Sequence, residues 1–306
     1  MPNWNELLEE IREDGSQSPL DRVRRKYLKR LRNHTGRNVI VYYSGWLQKI
    51  ELAQKMPTRF GLSDNDKNGF MACVHRLDKA KGLDLILHTP GGDLAAVESL
   101  IAYLHAVFGS DIRCIVPQLA MSGGTMIALA SREILMGKHS SLGPIDPQLG
   151  GIPAHGVIEE FQEAIAQVKA NPSSAPIWQA IISKYGPAFI GNCQKATLWA
   201  KQLAVGYLEK GMFSGEANRT TMAEAVVSVL GSNKNTLSHA RHVDPTTAKA
   251  LGLKITPLEQ DQRLQDLVLT VHHACCHTFT GSPAVKIVEN HLGIAVIDSV
   301  LQVKAA

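Results

Sequence analysis

No apolar run in this sequence approaches the roughly 18 to 20 residues that a membrane-spanning helix needs. The opening Met1-Pro2-Asn3-Trp4-Asn5-Glu6 lacks the basic-then-apolar pattern of a secretory signal. Neither membrane insertion nor secretion is therefore expected. Cysteines are few, and Cys73, Cys114, Cys193, Cys275 and Cys276 are scattered and odd in number, which excludes a disulfide framework and suits a reducing cytoplasm. Charge of neither sign dominates, the net being +4, so nucleic acid is not an expected partner. Basic residues do gather at Arg22, Arg24, Arg25, Lys26, Lys29, Arg30, Arg32 and Arg37. A solvated helix face is the plainer reading there, and contact with an anionic surface the sharper one. There is no Gly-x-Gly-x-x-Gly fingerprint for a nicotinamide cofactor, no internal repeat and no low-complexity tract. No cofactor is expected.

What is present is material for a sizeable core: 306 residues, 44% of them hydrophobic, enough for one large domain or two. Residues 3 to 33 read as two helical pieces split by Asp14-Gly15-Ser16-Gln17-Ser18-Pro19, an arm rather than part of a core. From Asn38 onward short β-rich runs alternate with helical patterns. Val39 to Tyr43, Leu83 to His88, Ile112 to Val116 and Ile134 to Met136 read as strands, and Asn65 to Leu77, Ala95 to Phe108 and Ser122 to Ser131 as helices. Repeated βαβ units predict an α/β domain with a parallel sheet. After Gly151 the pattern turns helical, over Val157 to Lys169, Thr197 to Lys210 and Pro245 to Leu251, with an edge strand at Leu253-Lys254-Ile255. Two further helices are expected at about Glu259 to Phe279 and Pro283 to Leu292. The division that follows is a helical N-terminal arm (1–34), a catalytic domain (35–256) and a helical C-terminal segment (257–306) suited to packing or oligomer contact.

Two glycine motifs carry the chemistry. Thr89-Pro90-Gly91-Gly92-Asp93 and Met121-Ser122-Gly123-Gly124-Thr125 each follow a strand-like run and precede a helix, at the end of a parallel sheet where ligands bind. The first offers bare backbone N–H groups, and its plainer reading is a tight turn. The second places a serine hydroxyl at a helix N-terminus, where unpaired N–H groups and partial positive charge suit a developing oxyanion. Its plainer reading is an N-cap serine. Together they suggest an oxyanion hole and its nucleophile.

The runs Leu85 to Gly92, Ala120 to Thr125 and Ser141-Leu142-Gly143-Pro144-Ile145-Asp146-Pro147-Gln148 resemble the serine dehydrogenase proteinase family. That family stands with the Clp protease proteolytic subunit and signal peptide peptidase A in the Clp/crotonase fold. The resemblance covers roughly residues 35 to 295, is strongest over 83 to 151, and rests most specifically on Gly143 to Gln148. It implies Ser122 as nucleophile and the N–H groups of Gly92 and Gly123, with Gly91, as the oxyanion hole. It also implies a peptide or unfolded-protein substrate and a homo-oligomer.

The general base is the open question. Where the Clp subunit has its histidine this chain has Asp146, and a carboxylate with a pKa near 4 is a weak base for a hydroxyl. Where that subunit has its aspartate, ahead of an Ala-x-x-x-Gly-Leu stretch matched by Ala248 to Leu253, this chain has Ser238-His239-Ala240-Arg241-His242. The two positions can therefore be exchanged, with His239 as base and Asp146 as its partner. A Ser-Lys dyad through Lys184 or Lys169, and a base at His155, are the alternatives. Other classes stay open: a crotonase-like acyl-CoA enzyme, needing no nucleophilic serine, or a non-catalytic scaffold of the same fold. His272, His273, Cys275, Cys276 and His277 could offer metal ligands, but the apolar Leu267 to Val271 before them favours a packed helix, and no metal is expected.

Overall fold

The computed structural model describes residues 4–300. Met1–Asn3 and 301–306, the tips of the expected arm and C-terminal segment, lie outside the described residues. Helices α1 (Trp4–Glu13) and α2 (Pro19–Thr35) lead into strand β1 (Asn38–Ser44). Helices α3 (Ile50–Lys55), α4 (Pro57–Phe60) and α5 (Asp66–Val74) come before β2 (Leu83–His88), and α6 (Leu94–Phe108) before β3 (Ile112–Val116). Next come β4 (Leu119–Ala120), α7 (Gly123–Leu129), β5 (Glu133–Met136), β6 (Ser141–Leu142) and a small hairpin, β7 (Gln148–Leu149) with β8 (Ile152–Pro153). A helical stretch follows: α8 (Ala154–Ala170), α9 (Ala175–Ile182), α10 (Phe189–Lys210), α11 (Arg219–Leu230), α12 (Asn233–Thr236) and α13 (Pro245–Ala250). The chain closes with β9 (Ile255–Pro257), α14 (Gln262–Gly281), β10 (Ala284–Asn290) and β11 (Ala295–Ser299).

Seven strands form the main sheet in the order β11-β10-β1-β2-β3-β5-β9. The run from β1 to β9 is parallel, as the βαβ pattern predicts, and β10 and β11 add an antiparallel flank. This is the architecture of a Clp/crotonase-like fold. Strands β1 and β2 are buried along their whole length, because helices cover both faces. Ile40, Tyr42, Leu85 and Leu87 join the core beneath α5, α6 and α7, while Val39, Val41, Tyr43 and Ile86 face α2 and α14. The one charge within β2, Asp84, is fully buried and is neutralised by Arg37 at 2.7 Å and by a bidentate bond from Arg113 at 2.7 and 2.8 Å.

Three expectations change. Residues 284–290, read as part of a helix, form β10, paired with β1 from Ile40–Asn290 to Ser44–Lys286. The N-terminal helices are not a detached arm: Leu28 and Leu31 of α2 lie in the same core as Val271 and Phe279 of α14. Nor is the basic cluster wholly solvated, since Arg24 is fully buried, donating to Glu289 at 2.5 Å and to Thr278 at 2.8 Å. The His- and Cys-bearing stretch lies within α14, where Val271, Ala274, Cys275 and Cys276 are core residues. Among the described residues, no group of three or more His, Cys, Asp or Glu could hold a metal ion.

Candidate active site

Both glycine motifs leave the sheet side by side because β4 continues the pairing that β2 begins. The N–H of Thr89 donates to Leu119 O at 3.0 Å, and the N–H of Met121 donates to Thr89 O at 3.0 Å. The loop after β2 is clamped from its other side by Leu62: Leu62 N–H donates to Gly91 O at 2.7 Å, and Asp93 N–H donates to Leu62 O at 2.9 Å. No side chain fits inside that clamp, since a Cβ on Gly92 would lie 2.2 Å from the Leu62 nitrogen. Gly91 has φ 100°, which only glycine adopts readily, and a Cβ there would lie 2.6 Å from Ser122 Cβ. The loop ends at Asp93, whose carboxylate caps α6 by accepting the Ala96 N–H at 2.9 Å.

Because a peptide unit is planar and trans, a carbonyl bound on one side turns the next N–H to the opposite side. The bond from Leu62 to Gly91 O thus aims the Gly92 N–H away from the clamp and towards Gly123. The Gly91 N–H is itself engaged, donating to Thr89 Oγ1 at 3.2 Å. Among the described residues, the N–H groups of Gly92 and Gly123 have no protein acceptor. They are the two amides left for a ligand oxygen.

Ser122 does not behave as a helix cap. It stands at the N-cap position of α7 but makes no capping bond, and its backbone sits at φ 50°, ψ −114°. With Gly124 N–H donating to Met121 O at 2.7 Å, those angles make Ser122 the first central residue of a type II′ turn, a position that favours glycine. The turn lifts the serine out of the helix line. Thr125, in the first turn of α7, ties this element to the next, accepting the Gly143 N–H at 2.9 Å and lying 2.8 Å from Ala120 O.

Beyond β6, the segment from Gly143 to Asp146 runs beneath a loop that carries His239. Leu142 and Val243 exchange both backbone hydrogen bonds, at 3.0 and 2.9 Å, which fixes the loop against β6. His239 Nδ1 then lies 2.9 Å from Asp146 Oδ1, with the carboxylate fully buried and the imidazole a quarter exposed. Ser122, His239, Asp146, Gly92 and Gly123 all line one cavity of about 460 Å³. Met126, Leu149 and Trp199 add apolar walls, and the Trp199 indole is held by Glu98 at 3.1 Å.

The other candidate bases stand elsewhere. Lys169 and Lys184 are exposed and line none of this cavity. His155 sits on α8, 3.4 Å from Glu159, in a neighbouring smaller cavity behind Ile145 and Pro147. Another histidine does not enter the cavity: His88, at the end of β2, is fully buried, accepts the Leu119 N–H at 3.3 Å and packs against the Trp46 ring at a tilt. Burial pushes its pKa down to about 3. Two contributors escape sequence reasoning. Thr125 lies inside the quoted motif but has no signal of its own, and Leu62 sits in an irregular stretch far upstream.

The family described as ClpP-like SDH-type serine proteinase matches residues 15–172. The chain belongs to this family. That match to the ClpP-like SDH-type serine proteinases includes both glycine motifs and Asp146, and ends before His239. Two uncharacterized proteins of Methanocaldococcus jannaschii are also similar. One is 41% identical over 98 residues, covering 32% of this chain and 34% of the relative. The other is 46% identical over 96 residues, covering 31% and 32%. The chain thus spans about a third of the length of these curated relatives. Among the described residues, no helix is long and apolar enough to cross a membrane.

Proposed function

We propose that this member of the ClpP-like SDH-type serine proteinase family hydrolyses peptide bonds through an acyl-enzyme on Ser122. The observation that carries the reading is one cavity holding a serine out of its helix line, two unengaged amides and a histidine paired with a buried carboxylate. In the proposed reaction His239 Nε2 takes the hydroxyl proton as Ser122 Oγ attacks the carbonyl carbon. Asp146, bound to Nδ1, holds the imidazole in the tautomer that leaves Nε2 free and stabilises the imidazolium that forms. The Gly92 and Gly123 amides hold the tetrahedral oxyanion, a contribution worth roughly a hundred- to a thousandfold in kcat for each donor in comparable sites. His239 returns its proton to the departing amine, and water then repeats the sequence to release the acyl group.

An extended peptide or unfolded protein is the substrate class proposed for this cavity, and a homo-oligomer in a reducing cytoplasm the setting proposed for it. Turnover of an internally quenched, unfolded protein substrate tests the reading. Cleavage that disappears in Ser122→Ala supports it. Cleavage unchanged in that variant, or no cleavage of any peptide or unfolded substrate by the parent protein, refutes it and leaves the acyl-CoA and scaffold alternatives.

A further inference from the structure

Lys286 is a buried cation that the proposed reaction does not use. It lies on β10, and its ammonium donates to Asp66 Oδ1 at 2.6 Å, to Gly61 O at 3.1 Å and to Ser63 Oγ at 3.4 Å. Asp66 is held in turn by the Ser63 N–H at 2.8 Å and the Tyr42 hydroxyl at 3.1 Å. The pair is satisfied, yet three of the partners of this cage fall on residues 61 to 63, the segment that contains Leu62.

The Gly61 carbonyl and the Leu62 N–H belong to the same peptide unit. Lys286 binds that unit at its oxygen, and the same unit donates its hydrogen to Gly91 O at 2.7 Å. The Gly91 carbonyl and the Gly92 N–H belong to a second peptide unit, whose hydrogen faces the cavity. The sequence of contacts is thus ammonium, first peptide, second peptide, oxyanion position. All of its dipoles point the same way. Hydrogen bonds arranged in such a chain polarise one another, by perhaps 10–30% per bond. A cation at the carbonyl end makes the terminal N–H a better donor, and the two planar units fix its direction.

We infer that Lys286 is a positioning residue for catalysis, orienting and polarising the Gly92 N–H of the oxyanion hole through the peptide units Gly61–Leu62 and Gly91–Gly92. The inference rests on the proposed serine-hydrolase reading. It assigns a role to an element some 160 residues after Ser122 in sequence, which touches neither the serine nor its histidine. Lys286 acts more on the transition state than on ground-state binding, because the charge on the oxygen facing the Gly92 N–H develops there.

The test compares Lys286→Met with the double variant Asp66→Asn/Lys286→Met, which leaves no uncompensated buried charge. Tyr42→Phe serves as a milder loosening of the same cage. Steady-state hydrolysis of a quenched peptide, binding of a peptide aldehyde as an oxyanion-forming analogue, and thermal unfolding are measured on each. For the two Lys286 variants, kcat is expected to fall by about 10- to 100-fold, less than for outright loss of a donor. Aldehyde affinity should fall in parallel while KM stays within about twofold, and Tyr42→Phe should fall by a few-fold at an unchanged melting temperature. A folded double variant with the parent kcat overturns the inference, and so does a loss shared equally between KM and kcat. If both Lys286 variants are unfolded, Tyr42→Phe decides by the same criteria. A parent protein without Ser122-dependent hydrolysis is a different failure, that of the serine-hydrolase reading itself, and it removes the inference with it.

Discussion

Replacing Ser122 by glycine should make this protein more stable while abolishing its proposed activity. The reason is the backbone at φ 50°, ψ −114°, a region sparsely populated by residues with a Cβ and natural to glycine. Holding a non-glycine residue there costs about 1–3 kcal/mol. Glycine relieves that cost but loses about 0.5–1 kcal/mol through the greater freedom of the unfolded chain. Because Ser122 makes no capping bond, no stabilising contact of that kind is removed. The net gain expected for Ser122→Gly is therefore about 0.5–2 kcal/mol, or about 1–3 °C in melting temperature for a chain of this size. Ser122→Ala is the matched control, since it loses the same hydroxyl but keeps the Cβ and its strain. Differential scanning calorimetry and urea unfolding of the three proteins would measure the difference. Ser122→Gly no more stable than Ser122→Ala would refute the idea that the turn holds the serine at a cost in folding free energy.

Other consequences follow from the same geometry. Asp146→Asn keeps the shape of the buried side chain but favours the wrong imidazole tautomer, so kcat should fall by about a thousandfold or more with little change in KM; a loss of less than tenfold would remove Asp146 from the mechanism. His88 predicts a pH dependence of stability. Buried with its pKa near 3, it stays neutral in the folded chain, while the unfolded chain takes up a proton below about pH 6.5. The unfolded state then binds more protons, so stability is lost as pH falls below that value, at on the order of 1.4 kcal/mol per pH unit. His88→Phe should lose less stability than the parent between pH 7 and 5 by urea unfolding, and an equal loss in both would refute the assignment.

Much of the site could be read from local pattern. An apolar strand, a glycine pair and a helix cap are consecutive in sequence, so Leu85 to Asp93 and Ala120 to Thr125 announce themselves. The pairing of His239 with Asp146 is reachable only by matching positions against a related family, because the two are 93 residues apart and meet through the Leu142–Val243 bridge. Leu62 and Lys286 carry no local signal at all. Two of the three changed expectations trace to the buried ion pairs of β10, and the third, the N-terminal arm, to the apolar packing of Leu28 and Leu31 against α14. Lys286, Glu289 and Asn290 fall three and four residues apart, the spacing of a helix's wet face, and each is in fact buried against a partner: Asp66, Arg24 and the Cys73 carbonyl. Glu289 hides a strand, and Arg24, at the other end of the same pair, reads as surface charge. Burial of paired charges cannot be seen in hydropathy.

The most direct test of the central claim is the rate and site of labelling by a fluorophosphonate, read by mass spectrometry on the parent protein and on Ser122→Ala and His239→Ala. The account predicts a single adduct on Ser122, absent in Ser122→Ala and formed at least about a hundredfold more slowly in His239→Ala. Labelling at another residue, or His239→Ala labelled at the parent rate, would contradict it.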